Sequence, residues 1–188
     1  MFNSYKEINL NWLKLNTQKI HFFGLGFIQI KINDEYRLHF YHKDLPAFVE
    51  TPHTHRYDFT STILKGNFTQ NIYEVTKIVS NNQQHNYIEV FESCGRGELS
   101  EALINYKKPV DCKLILINNY TEGSSYTLDK NTYHTVNAND CITLLRRDNE
   151  RLEYAKVLNE INKPNICPFS MKIEENELWN KIESMLSE

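Results

Sequence analysis

His53 and His55 stand two residues apart in the run Pro52-His53-Thr54-His55, and that spacing is the strongest chemical signal in the chain. Residues two apart on an extended backbone leave the same face. Two imidazoles on one face can converge on a single ion, each offering a neutral nitrogen. Such a pair alone is a weak signal, but its surroundings strengthen it. A strand-like run follows the pair, and Gly66 stands eleven residues after His55. Much later come Gly123, then Asp129-Lys130-Asn131, and then His134 at the start of another strand-like run. His21 and His85 sit beside strand-like segments with no partner in sight and read as surface or packing residues.

Taken together these residues resemble the two motifs of the cupin superfamily, over about residues 36–147. The first reads His53-Thr54-His55-RYDFTSTILK-Gly66, with the second histidine and the glycine at the family's spacing. The second reads Gly123-SSYTL-Asp129-Lys130-Asn131-TY-His134, where Asp129 and Asn131 replace the family's Pro and Gly. Those replacements are mild, because Asp and Asn also favour tight turns. The resemblance implies an antiparallel β-barrel of the double-stranded β-helix (jelly-roll) type. It also implies a divalent metal (iron, nickel, manganese or zinc) on His53, His55 and His134. The family's glutamate should fall at position 59 or 60, where this chain has Phe59 and Thr60. Asp58 lies one residue early and points away from the metal face unless a β-bulge intervenes. It then completes the metal site; otherwise it orients a ligand histidine or pairs with Arg56. Three neutral imidazoles leave an ion its full charge and open positions for water or substrate. That set resembles the thiol-dioxygenase branch of the cupins, which bind ferrous iron; the likeness covers the ligands and not the reaction.

Further polar residues accompany the histidines. Along YRLHFYH, alternation puts Arg37, His39 and Tyr41 on one face and Leu38, Phe40 and His42 on the other. Lining the interior, the first set offers a polar substrate a cation, an imidazole and a phenol; the other reading has this face in solvent or under a terminal helix. Arg146 and Arg147 end the run CITLLRR, so one of them faces inward. There it grips a carboxylate or phosphate with both arms, or pairs with an acidic neighbour. Tyr126 and Tyr133 flank the second motif and either bond a metal-bound ligand or are core residues with a wet tip. The candidate set is therefore His53, His55 and His134 for metal, Arg37, His39 and Arg146 for substrate, and Tyr41, Asp58 and Tyr133 for catalysis. Three functions fit it: a metal-dependent oxygenase, lyase or isomerase acting on a small polar molecule; a non-catalytic small-ligand-binding barrel; and a metal-free sugar-nucleotide epimerase using a His55–Asp58 pair.

Positioning these residues falls to a succession of short strands. HFFGLGFIQIKI and YRLHFYH read as two strands about the turn Asn33-Asp34. Lys65-Gly66-Asn67 has hairpin chemistry between two runs, and YHTVNA followed by CITLLRR reads as another hairpin. NYIEVFE, CKLILINNY and SSYTL supply further strands, and Tyr154–Val157 a last one. The glycine-containing segment around Gly95 and Gly97 reads as a surface excursion. Helices are expected only at the ends, over about residues 5–15 and 173–187. The second carries Leu178, Ile182 and Met185 on one face and acidic residues in its first turn. The pattern predicts one all-β domain with its barrel over about residues 20–158.

Composition narrows the partners. The chain has 188 residues, 40% of them hydrophobic, and a net charge of −3. No basic stretch predicts nucleic-acid binding, and apolar runs break too early to span a membrane. No secretory pattern opens the chain, so a cytoplasmic location is expected. Cys94, Cys112, Cys141 and Cys167 lack CxxC spacing and read as reduced, mostly buried thiols. A small-molecule ligand is the expected partner, and a homodimer would cover strand edges.

Overall fold

The computed structural model describes residues 2–78, 86–92, 105–148, 151–161, 163 and 167–187. A 3-10 turn, Tyr5–Glu7, precedes helix α1, Leu10–Asn16, whose first turn is capped by Asn9 accepting from the Trp12 N–H at 2.9 Å. Nine antiparallel strands follow: β1 (Lys19–Phe23), β2 (Phe27–Lys31), β3 (Tyr36–Tyr41), β4 (Phe59–Lys77), β5 (Tyr87–Phe91), β6 (Lys108–Thr121), β7 (Ser125–Leu128), β8 (Tyr133–Arg147) and β9 (Lys156–Glu160). Helix α2, Glu175–Ser187, comes last among the described residues. The chain is therefore mostly β with two short helices. His85, Cys94, Gly95, Gly97 and Pro164 lie outside the described residues.

The strands are hydrogen-bonded in the order β1-β2-β3-β8-β4-β6-β5-β9, with β7 continuing beside β4 where β6 leaves off. Three sequence expectations need correcting. HFFGLGFIQIKI is two strands, β1 and β2, because Gly26 takes a left-handed φ of 84° and turns the chain back. Lys65-Gly66-Asn67 is not a hairpin: β4 runs through it as one strand of 19 residues. YHTVNA and CITLLRR likewise form one strand, β8. Both strands bend at the same place along their shared ladder. Gly66 has φ 80° and Asp140 φ 47°, and the β4–β8 register slips between Ile63 and Asn67. A Cβ on Gly66 would lie 2.6 Å from the Asp140 carbonyl oxygen. Turn-forming residues made a β-bulge here, not a chain reversal, because each strand keeps its partner on both sides of the bend. The last strand starts two residues later and ends three later than expected, at Lys156–Glu160.

The two faces of the sheet pack into separate layers. On the outer side, Ile28, Ile30, Leu38, Phe40, Leu64, Ile142 and Leu144 meet Leu13 of α1 and Leu178, Trp179, Ile182 and Met185 of α2. This is the helical apolar stripe laid on the alternate residues of a sheet. On the inner side, Phe27, Tyr41, Ile63, Phe68 and Cys141 form one cluster, and Tyr57, Phe59, Leu128 and Leu145 a second. Of the described cysteines only Cys141 is buried; Cys112 and Cys167 are half-buried, so the thiols are less enclosed than expected. No described helix is long and apolar enough to cross a membrane.

Candidate metal centre

The histidine pair lies on a short extended segment that bridges two strands. On one side the His53 N–H donates to the His134 carbonyl at 3.1 Å and the His134 N–H returns a bond to His53 at 3.0 Å. On the other side the Thr54 N–H donates to Lys156, and the Leu158 N–H donates to Pro52, each at 2.9 Å. The segment thus joins β9 to the start of β8. Backbone bonds then run from β8 through β4, β6, β5 and β9 back to β8. Pro52 suits its place, since its carbonyl accepts while its missing N–H is not required there.

Alternation along this segment and into β4 sends His53, His55, Tyr57 and Phe59 to the inner face. The His55 ring lies 5.0 Å from His53, 6.2 Å from Tyr57 and 4.9 Å from Phe59. His134 completes a triangle, its ring 4.9 Å from each of the other two. One ligand nitrogen from each histidine falls within 4.8 Å of the others. Among the described residues no carboxylate or thiol joins this group.

Hydrogen bonds fix the nitrogens. His53 Nδ1 is 3.1 Å from the Thr51 carbonyl, which can only accept, so the proton sits on Nδ1 and the Nε2 lone pair is free. His55 Nε2 and His134 Nε2 approach to 2.7 Å. Two lone pairs cannot face each other at that separation; a proton or a cation must lie between them. Burial, reinforced by His53, holds both His55 and His134 well below the ordinary imidazole pKa. Both are therefore neutral donors at ordinary pH, as a metal requires. The donor set fits a divalent ion of borderline softness.

Several neighbours were not singled out in the sequence. Glu50 places Oε1 3.7 Å from His53 Nδ1, and its carboxylate accepts from the Val136 N–H. Burial raises the Glu50 pKa against the pull of His53. Gln70, 2% exposed, brings its amide to 3.5 Å from His134 Nδ1. Glu50 lies upstream of the pair and Gln70 beyond the bend, so neither position carries a sequence signal.

The candidate residues divide into two groups. Arg37, His39 and Tyr41 face inward, and the Leu38–Phe40 face lies under the helices. His39 is bonded to Gln29 at 2.9 Å, and burial drives its pKa down to about 3. Tyr41 packs between Phe27 and Phe68. Asp58 faces away from the histidines, accepting from the Lys130 N–H at 2.6 Å and so pinning the turn that leads to His134. Tyr133 lies on the opposite face of β8 from His134 and donates to the buried Glu89. Arg146 is exposed, and Arg147 is the arginine that turns inward. A groove of about 650 Å³ lined by Phe2, Glu7, Trp12, Asn16, Ile32 and Asn33 lies beside α1, apart from these residues. No protein-family model matches the chain, and no curated protein is significantly similar to it.

Proposed function

We propose that this chain is a cupin-type barrel that holds a divalent metal ion on His53, His55 and His134 and acts as a metal-dependent enzyme on a small polar molecule. The observation that carries this reading is the convergence of three imidazoles, with one ligand nitrogen of each within 4.8 Å of the others. Iron, nickel and zinc all suit three imidazoles, whereas manganese prefers oxygen donors. The ion would supply a Lewis acid or a dioxygen-binding centre, with open positions for the substrate. Inward-facing Arg37 and His39 support a polar substrate. Elemental analysis of the purified protein tests the reading. Near-stoichiometric metal, lost in His53→Ala and in His134→Ala, is expected; no metal in the native protein, even after reconstitution, overturns it.

A second reading, a non-catalytic barrel binding a small ligand, draws support from Phe59 and Thr60 standing where the family has its glutamate. Turnover of any candidate substrate by the metal-loaded protein removes it. The metal-free epimerase reading loses its main support, because Asp58 is bonded to the Lys130 backbone and does not pair with His55.

A further inference from the structure

Tyr57, two residues beyond His55, is flanked by two arginines. The guanidinium carbons of Arg37 and Arg147 each lie 5.4 Å from the Tyr57 ring centroid. They arrive from different strands, Arg37 on β3 and Arg147 at the end of β8. Arg37 Nη1 donates to the Tyr57 hydroxyl. Arg37 Nε and Arg147 Nη1 are buried with no hydrogen-bond partner among the described residues. Arg147 is only 9% exposed. A buried guanidinium donor without an acceptor is costly, and two like charges at close quarters add to the cost.

Among the described residues, no acid fully meets this demand. Asp34 Oδ1 stands 3.5 Å from Arg147 Nη2, but Asp34 is 84% exposed and holds Lys31 Nζ more closely, at 2.7 Å. Burial is the main cause depressing the Arg147 pKa, and the charges of Arg37 and Arg151 depress it further. Among the described residues, Asp34 is the one carboxylate in ion-pair range of the Arg147 guanidinium, and it is exposed and shared with Lys31.

We propose that Arg37 and Arg147 form, around Tyr57, a binding site for the carboxylate or phosphate of a small molecule whose remainder reaches the three histidines. Planar guanidiniums are matched to such oxyanions, accepting both the charge and the paired hydrogen-bond geometry. The Tyr57 hydroxyl holds the Arg37 fork, and the Tyr57 ring lies 6.2 Å from the His55 ring. This assignment rests on the proposed function only for the second half of the molecule it binds; the oxyanion site stands without a metal.

The test is calorimetric titration of metal-free protein, and of His53→Ala, with inorganic phosphate and separately with malonate. Saturable binding of at least one anion is expected, weakened about tenfold or more by Arg37→Gln and by Arg147→Gln. The exposed Lys113→Gln should match the native protein. Preference for phosphate assigns a phosphorylated ligand, and preference for malonate a carboxylate. No saturation with either anion, or unchanged affinity in both arginine variants, overturns the proposal. If Arg147→Gln does not fold, Arg147→Lys keeps the charge and loses the fork, and should still weaken binding. In the native protein, Tm should rise with the preferred anion above its value in chloride at matched ionic strength; an equal rise in chloride also overturns the site. Because these titrations contain no metal, anion binding without metal affinity would defeat only the metal reading, and metal affinity without anion binding only this one.

Discussion

His55 and His134 owe their neutrality to enclosure, and the same enclosure makes nearby side chains decisive. His39 is held to about 3 by burial, with Arg37 adding to the effect, whereas an unfolded chain's imidazole titrates near its ordinary 6.5. Above pH 6.5 the residue is neutral in both states and contributes no pH dependence. As pH falls below that value the unfolded chain takes up the proton first, so stability is lost progressively down towards pH 3. His39→Gln in metal-free protein should therefore melt with a shallower acid dependence than native. Thermal melts from pH 7 to pH 4 check this, and parallel curves would refute it. Gln70 belongs to the same scale. A metal on His134 Nε2 needs the proton on Nδ1, and a flip of the Gln70 amide, whose Nε2 now stands 3.5 Å away, would turn its oxygen to accept that proton. Gln70→Leu should weaken metal affinity about tenfold while far-ultraviolet dichroism stays native; unchanged affinity would leave Gln70 a packing residue.

At the scale of the element, the bend shared by β4 and β8 governs which side chains face the histidines. Phe59, Ser61 and Ile63 face inward before the bend, and Phe68, Gln70 and Ile72 face inward after it, so odd positions give way to even ones. In β8 the switch runs the other way. His134, Val136 and Ala138 share the inner face with Cys141 and Leu145, across Asp140. Counting by twos from His134 lands on Arg146; the bulge shifts the register and brings Arg147 in instead. Gly66 makes the bulge possible, since a Cβ there would meet the Asp140 carbonyl and the φ of 80° disfavours any side chain. Gly66→Ala should cost on the order of 2–3 kcal/mol. Urea denaturation measures it, and a loss under about 0.5 kcal/mol, the size of an ordinary surface change, would mean the corner relaxes easily.

For the molecule as a whole, two layers serve two purposes. The helices seal the outer face of the sheet through Leu178, Trp179, Ile182 and Met185, while the inner face holds the polar residues. Ile182→Ala should destabilise by about 2–5 kcal/mol and leave metal affinity unchanged; coupled losses would show that the layers are not separable. The inner site is tied to global stability in another way. The segment carrying His53 and His55 links β9 to β8, and His134 opens β8, so an ion on all three spans that junction. Metal at a hundred times its dissociation constant should raise stability by about 2.7 kcal/mol, reversed by a chelator. Melting curves with and without metal read this directly.

The sequence by itself determined the alternation that puts His53 and His55 on one face, the turn at Asp129–Asn131, the amphipathic last helix and the predominance of antiparallel strands. Each of these follows from nearest-neighbour geometry, which needs only the order of residue types. Only the tertiary structure decided that Gly66 bends a strand and does not reverse it, because a bulge and a hairpin call for the same turn-forming residues and differ in the partner strand. It also decided that Asp58 serves the Lys130 turn, that Glu50 and Gln70 stand beside the histidines, and that Arg147 rather than Arg146 turns in. Those placements depend on register between strands far apart in the chain, and a single inserted residue inverts them.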